Sequence, residues 1–463
     1  MPRHVVIPPQ RASDQLELLL GVDQGPLVSE AASGTSLPDV VESPTLVYTR
    51  GTGPAEWLNG DDCRVLARPR SQMMGGETFG CFRTPAGEVL ECTDGGDGRV
   101  CLPFSLAEAY ENYVFERWTE SQASRWITPA QLNAYYRVKR LIPRRVQLAA
   151  RRGLIAFKGR PDFPHWPHDD AVERLVRFYG TCVLRAMRAS RLPFRWFWPN
   201  GMHAAAILTH DIEGTSGMRN AIRVAELEEA RGFRSSFNIV ADWYPIDWGI
   251  INELRARGHE IGSHALYHDR SLFSSREEFE HQLPLLREAV GRLGAVGFRS
   301  PATHRVPEWL DELPIDYDTT IPLSDPYEAQ PGGACSSWPF FIGDLVELPY
   351  TLPQDHTLLT LMRHGNADLW VDQMRRVKRS YGLIQCLSHP DDGYLADKKH
   401  ESIYCEFLDA LSEETDLWHA LPRDVANWWR ARAAGQNLPA LNLSHGTIVL
   451  QQDTTLAELR PPD

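Results

Sequence analysis

Two carboxylates, Asp211 and Glu213, lie two residues apart in the segment LTHDIE. In extended chain, residues two apart face the same way. One carboxylate can then bind a metal ion while the other faces the water bound to it. His264 and His268, in HALYH, are spaced i, i+4. On one helical turn that spacing offers both imidazoles to a single metal ion. Two imidazoles and a carboxylate leave positions open for water and substrate, as catalytic zinc sites require. His389, in LSHP, brings the side chain best suited to acid or base work near neutral pH. Arg299, in FRSP, can pair with a buried carboxylate, and Asp318, in YDTTIP, is a further inward candidate. Asp391 and Asp392 follow His389, and either could orient its imidazole or cap the next segment. Each motif alone has a plainer reading. Asp-x-Glu after a strand is commonly a helix-capping pair, and two histidines four apart can be capping or surface groups.

The elements that must position these residues start at Ala204. From there apolar runs alternate with amphipathic helices, the pattern of parallel βα units. Strands are expected at Ala204–His210, Ser235–Val240, Glu260–His264, Ala295–Ser300, Leu345–Tyr350 and Gly382–His389. Helices are expected at Met218–Arg231, Trp248–Arg257 and Ala367–Tyr381. Another is opened by a capping box, Ser275 with Glu278. Gly258 follows the helix at Trp248–Arg257 as a left-handed cap. All three main clusters fall at carboxyl ends of strands, where closed parallel βα sheets keep their active sites.

Upstream, residues 1–105 read as a small β-rich module with turns at Pro85–Gly87 and Gly95–Gly98, and residues 106–203 as a mainly helical connector. A barrel unit spans 204–436 and a β tail 437–463. The connector holds a basic stretch: Arg137, Lys139, Arg140, Arg144, Arg145, Arg151 and Arg152. It reads as a solvated helical face, or as a patch for an anionic glycan, a lipid headgroup or an acidic neighbouring domain. The chain has 463 residues, enough for a sizeable core, and a formal net charge of −13. Such acidity argues against a general nucleic-acid binder. The 8 cysteines include no C-x-x-C pair and read as reduced, buried thiols, with Cys63, Cys81, Cys92 and Cys101 the one grouping that could hold a disulfide or a metal. Neither a signal peptide nor a membrane span is seen, so a cytoplasmic location is expected. Trp196, Trp198 and Trp243 could line a sugar cleft or fill a core.

The ordered series LTHDIE, SHALYH, FRSP, YDTTIP and LSHP resembles the NodB-homology domain of the polysaccharide deacetylases, carbohydrate esterase family 4. The resemblance covers about residues 204–430 and implies an α/β fold, a distorted, incomplete (β/α)7 barrel. It implies Asp211 as catalytic base, Arg299 as the arginine orienting it, His389 as general acid and Asp318 in the fourth motif. It implies Glu213, His264 and His268 as ligands of one divalent ion, Zn2+ first, with Co2+, Mn2+ or Ni2+ as alternatives. Where many members have adjacent aspartates, this chain has Ile212 followed by Glu213, and His210 replaces the aromatic of that motif. The implied activity is hydrolytic removal of N-acetyl groups from a carbohydrate. Other readings are a cyclic-amide hydrolase of the allantoinase kind, acting on a small amide, and a non-catalytic glycan-binding or assembly protein. Oligomeric state is not legible.

Overall fold

The computed structural model describes residues 13–22, 27–30, 44–48, 51–70, 75–121, 146, 148–153, 162–438, 440–450 and 456–462. Of the basic stretch, Arg137, Lys139, Arg140, Arg144 and Arg145 lie outside the described residues. Among the described residues, no helix is long and apolar enough to cross a membrane.

The amino-terminal region forms a seven-stranded sheet, with a hairpin turning at Pro85–Gly87. Its cysteines are free thiols, and burial pushes Cys63 up to about 12. The connector is helical at Leu106–Val114 and Ala171–Ala186, but its end is a strand, Arg191–Arg195. That strand pairs with the tail strand His445–Leu450, which pairs in turn with Ala457–Arg460. Pro193 is tolerated because this strand lies at the sheet edge. One hydrophobic core runs through every region and includes Leu16, Val65, Val176, Trp196, Ile207, Phe298, Trp428 and Leu459. Trp196 and Trp198 are wholly buried and belong to this core, whereas Trp243 is exposed.

The barrel begins with β1 (Ala204–Ile212), buried throughout, and α1 (Thr215–Glu229). Then come β2 (Ser236–Ile239), α2 (Trp248–Ala256), β3 (Glu260–Ser263) and α3 (Arg276–Leu293). Ser275 caps α3 by accepting from the Glu278 amide, as the capping box predicts. Short strands β4 (Gly297–Phe298), β5 (Tyr317–Asp318) and β6 (Leu345–Glu347) follow, then α4 (Asp368–Arg379) and β7 (Leu383–Ser388). The last helices are α5 (Lys398–Glu413) and α6 (Pro422–Ala433). The strands run parallel in the order β7-β1-β2-β3-β4-β5-β6, with an antiparallel edge strand at Phe340–Ile342. No ladder joins β6 to β7. Instead the Thr351 and Leu352 amides, just past β6, donate to the Gln385 carbonyl in β7. The barrel closes through irregular backbone, which makes it incomplete and distorted.

Arg432 in α6 is wholly buried. It donates to the carbonyls of Trp196 (2.8 Å), Leu19 (2.7 Å) and Arg195 (2.6 Å), tying three regions together.

Glu260, at the start of β3, is also buried. The Tyr317 hydroxyl donates to its Oε1 (2.6 Å) and the Arg423 amide to its Oε2 (3.3 Å). Burial dominates and pushes this carboxyl from 4.5 to about 7. A carboxyl raised in the folded state stabilises the fold fully below its unfolded pKa, and that contribution fades as pH rises through the folded value. Glu260→Gln is therefore expected to gain in melting temperature relative to the wild type between about pH 5 and pH 8. Thermal unfolding at both pH values checks this; an unchanging difference would refute it.

Candidate active site

Asp211 ends β1 and is buried. Asn238, at the same level on β2, donates from Nδ2 to Asp211 Oδ1 (2.8 Å). The approach depends on Gly262 of β3, where a Cβ would fall 2.0 Å from Asn238 Oδ1. Arg299, just past β4, is wholly buried, with Nη1 3.9 Å from Asp211 Oδ2. Its Nε donates to Thr319 Oγ1 (3.1 Å) and its Nη2 to Thr209 Oγ1 (3.0 Å). Burial pushes Asp211 upward, but its electrostatic interactions with His264, Arg299 and His389, together with the Asn238 hydrogen bond, outweigh it and hold the carboxyl below its usual range.

His264 directly follows β3. Its Nδ1 lies 2.9 Å from the Arg299 carbonyl. A carbonyl only accepts, so Nδ1 carries the proton and Nε2 keeps its lone pair. That Nε2 is buried with no hydrogen-bond partner. His268 Nε2 is 2.9 Å from Glu213 Oε1. One ligand atom from each of Glu213, His264 and His268 lies within 4.8 Å of the others. Among the described residues this is the one such group of three or more, and its carboxylate and imidazole donors suit a divalent ion. The expected helical turn is not present. His264 and Ala265 are irregular, with Ala265 at φ +63°, and residues 266–268 form bends. The loop is strung along its neighbour by bonds from Ala241 N to Ala265 O and from Asp242 N to Leu266 O. That pairing continues the β2–β3 register and leaves no room for helical bonding.

Glu213 is placed by a residue far along the chain. Asp391 accepts from the Glu213 amide (3.0 Å), the Gly217 amide (3.0 Å) and the Ser216 hydroxyl (3.2 Å). Gly214 at the α1 N-cap has no side chain, so Asp391 does the capping. A Cβ at Gly217 would lie 2.1 Å from Asp391 Oδ2. Of the two possibilities for Asp391, the structure thus shows a cap, and on α1 instead of the following segment.

His389, just past β7, has Nδ1 2.6 Å from Asp355 Oδ1, and its amide donates to Asp355 Oδ2 (2.8 Å). Its Nε2 lies 3.6 Å from Glu213 Oε1, and the Tyr394 ring packs on the imidazole at 4.7 Å between centroids. Burial works against the imidazolium, but Asp355 first, then Glu213 and Asp211, raise His389 to about 10. Asp355 and Asn238 are the two participants that motif spacing does not single out. The available signals were a carboxylate a few residues past a strand and a polar residue within an apolar one. Six of the sequence-predicted residues converge: Asp211, Glu213, His264, His268, Arg299 and His389. Asp318 stands apart. Its carboxyl accepts from the Thr320 hydroxyl (2.7 Å) and amide (3.2 Å), and burial raises it beside the Glu347 carboxyl. The reason is topological, because β5 stands four strands from β1.

No family model and no curated protein matches the chain. Solved structures are similar to about half of the chain. A protein described as a polysaccharide deacetylase, from Mycobacterium smegmatis, is 18% identical over 53% of this chain and 96% of its own, with a TM-score of 0.41. Puue allantoinase is 15% identical over 50% of this chain and 92% of its own, with a TM-score of 0.40. A protein described as a polysaccharide deacetylase from Pseudomonas aeruginosa is 17% identical over 50% and 92%, with a TM-score of 0.38. These likenesses carry nothing about activity. By its strand order and irregular closure, the barrel half of the chain is an α/β fold, a distorted and incomplete βα barrel.

Proposed function

We propose that the chain is a metal-dependent hydrolase that removes N-acetyl groups from a carbohydrate. One observation carries this reading: a buried carboxylate held by an arginine, a carboxylate–His–His group and a histidine paired with aspartate meet at the carboxyl ends of β1, β3 and β7. Glu213, His264 and His268 would hold one divalent ion, with Zn2+ first for this N,N,O donor set. Such an ion supplies electrophilic activation of a water and of a carbonyl. Asp211 accepts a proton from the attacking water. Asn238 and Arg299 keep its carboxylate aimed and ionised. His389, held as imidazolium by Asp355, gives a proton to the departing amine nitrogen. The amide C–N bond breaks, a C–O bond forms, and acetate and a free amine leave. Asp318 has no role in this scheme.

The test is acetate release from N-acetylhexosamine oligomers by the full chain supplied with Zn2+, Co2+, Mn2+ or Ni2+. Release that stops on chelation and returns with metal is the expected result. No release with any of these ions would refute the proposal. Turnover of cyclic ureides alone would reassign the chain to allantoinase-like hydrolysis. Glycan binding with neither metal nor turnover would make it a binding protein.

A further inference from the structure

One arginine from outside the barrel reaches the acid side of the site. Arg151, in the short helical segment 148–153, has Nη1 3.0 Å from His356 Nε2. Its Nη2 donates to the Tyr327 carbonyl and lies 3.6 Å from Glu328 Oε1. Arg152 donates to the Thr360 carbonyl (2.6 Å), within the same helical turn, His356–Leu361, that begins at His356. His356 Nδ1 is 3.0 Å from the Tyr394 hydroxyl. Tyr394 packs on His389, and Asp355, the chain neighbour of His356, holds His389 Nδ1.

A guanidinium has donors and no acceptor. His356 Nε2 must therefore present its lone pair to Arg151, and the ring proton sits on Nδ1. That proton can only be given to the Tyr394 oxygen. The groups facing His356 are Arg151, Glu328, His389 and Asp355. Burial acts first, and Arg151 and His389 add to it, bringing His356 down to about 4 against the opposing pull of Glu328 and Asp355.

We propose that Arg151 is a positioning residue for His389: it fixes one neutral tautomer of His356, and His356 in turn anchors both Tyr394 and the segment that carries Asp355. This rests on the reading of His389 as the acid. It also assigns part of the region before the barrel to completing the active site.

The experiment uses the full chain with Zn2+ and compares wild type, Arg151→Met, Arg151→Lys and Arg152→Met. Nitrogen NMR of the histidine rings and steady-state acetate release are both read. In the wild type, His356 Nε2 is expected to stay unprotonated between about pH 5 and pH 8, where an ordinary imidazole titrates. In Arg151→Met it is expected to titrate within that range, and the His389 Nδ1–H signal to shift. The kcat is expected to fall between about 10- and 100-fold with KM little changed, as for a misplaced catalytic group. Arg151→Lys keeps one donor and is expected to restore the His356 signature and part of kcat. Arg152→Met, which loses only a backbone contact, should leave the His356 signature in place. An unchanged His356 signature in Arg151→Met overturns the proposal, as does an unchanged kcat in an active protein. Should Arg151→Met fail to fold, Arg151→Lys decides: a disturbed His356 signature with a fall in kcat, or a retained signature with kcat largely kept, supports the proposal, and a disturbed signature with unchanged kcat overturns it. A wild type that releases no acetate removes the deacetylase reading alone, because the His356 and His389 signals still decide whether Arg151 sets the geometry.

Discussion

Replacing His264 by alanine is expected to strip the chain of its divalent ion and of its acetate-releasing activity together. His264 is the most enclosed of the three ligands, with Nδ1 committed to the Arg299 carbonyl and Nε2 left for an ion. The remaining pair, Glu213 and His268, is partly exposed and already in mutual contact at 2.9 Å. Residues that merely orient a metal ligand are worth about 10- to 100-fold in affinity or activity, so loss of a ligand is expected to exceed that. Elemental analysis after dialysis should find about one ion per wild-type chain and essentially none in the variant. Melting temperatures read alongside separate loss of the ion from loss of the fold. A variant that keeps both ion and activity would remove the proposed centre.

The second large effect is expected at Asp355. Its two oxygens hold His389 at the ring Nδ1 and at the backbone amide, so it sets both the tautomer and the position of the imidazole. Asp355→Asn keeps the shape and removes the charge. General acid catalysis typically contributes about 10²- to 10⁴-fold, and kcat is expected to fall within that span. The pH profile supplies the sign. Asp355 is the main group holding His389 above its ordinary value, and burial acts the other way. Without the carboxylate the imidazolium loses its proton at lower pH, so the alkaline limb of the rate should move down the pH scale. An alkaline limb that stays in place would assign it to another group.

The barrel was legible because its strands are largely apolar runs and its helices carry local start and stop signals such as Ser275 and Gly258. The six converging residues were legible because each sits within a few residues of a strand end, where chain position nearly dictates spatial position. Asp355 was hidden by a different kind of closure. It follows the irregular stretch that joins β6 to β7, and no periodicity marks where such backbone leads. The histidine pair was found for a helical reason and converges for a strand-register reason. Asp391 and Arg151 act across 174 and 205 residues of sequence respectively, distances at which spacing carries no information.

Arg432 makes the order of synthesis matter. Its guanidinium bonds to the Leu19 carbonyl across 413 residues. The helix Ser13–Leu20, with Leu16, Leu19 and Leu20 buried in the finished fold, leaves the ribosome long before that partner is made. At about 5–20 residues per second the wait is roughly 20 to 80 s. The helices Leu106–Val114 and Ala171–Ala186, made well before α6, can cover the leucine face of Ser13–Leu20, but throughout the wait the carbonyl at the end of that helix lacks the guanidinium that pins it to the barrel. A nascent chain stalled before α6 should therefore hold the end of the Ser13–Leu20 helix less tightly, with faster amide exchange there, than one released after α6.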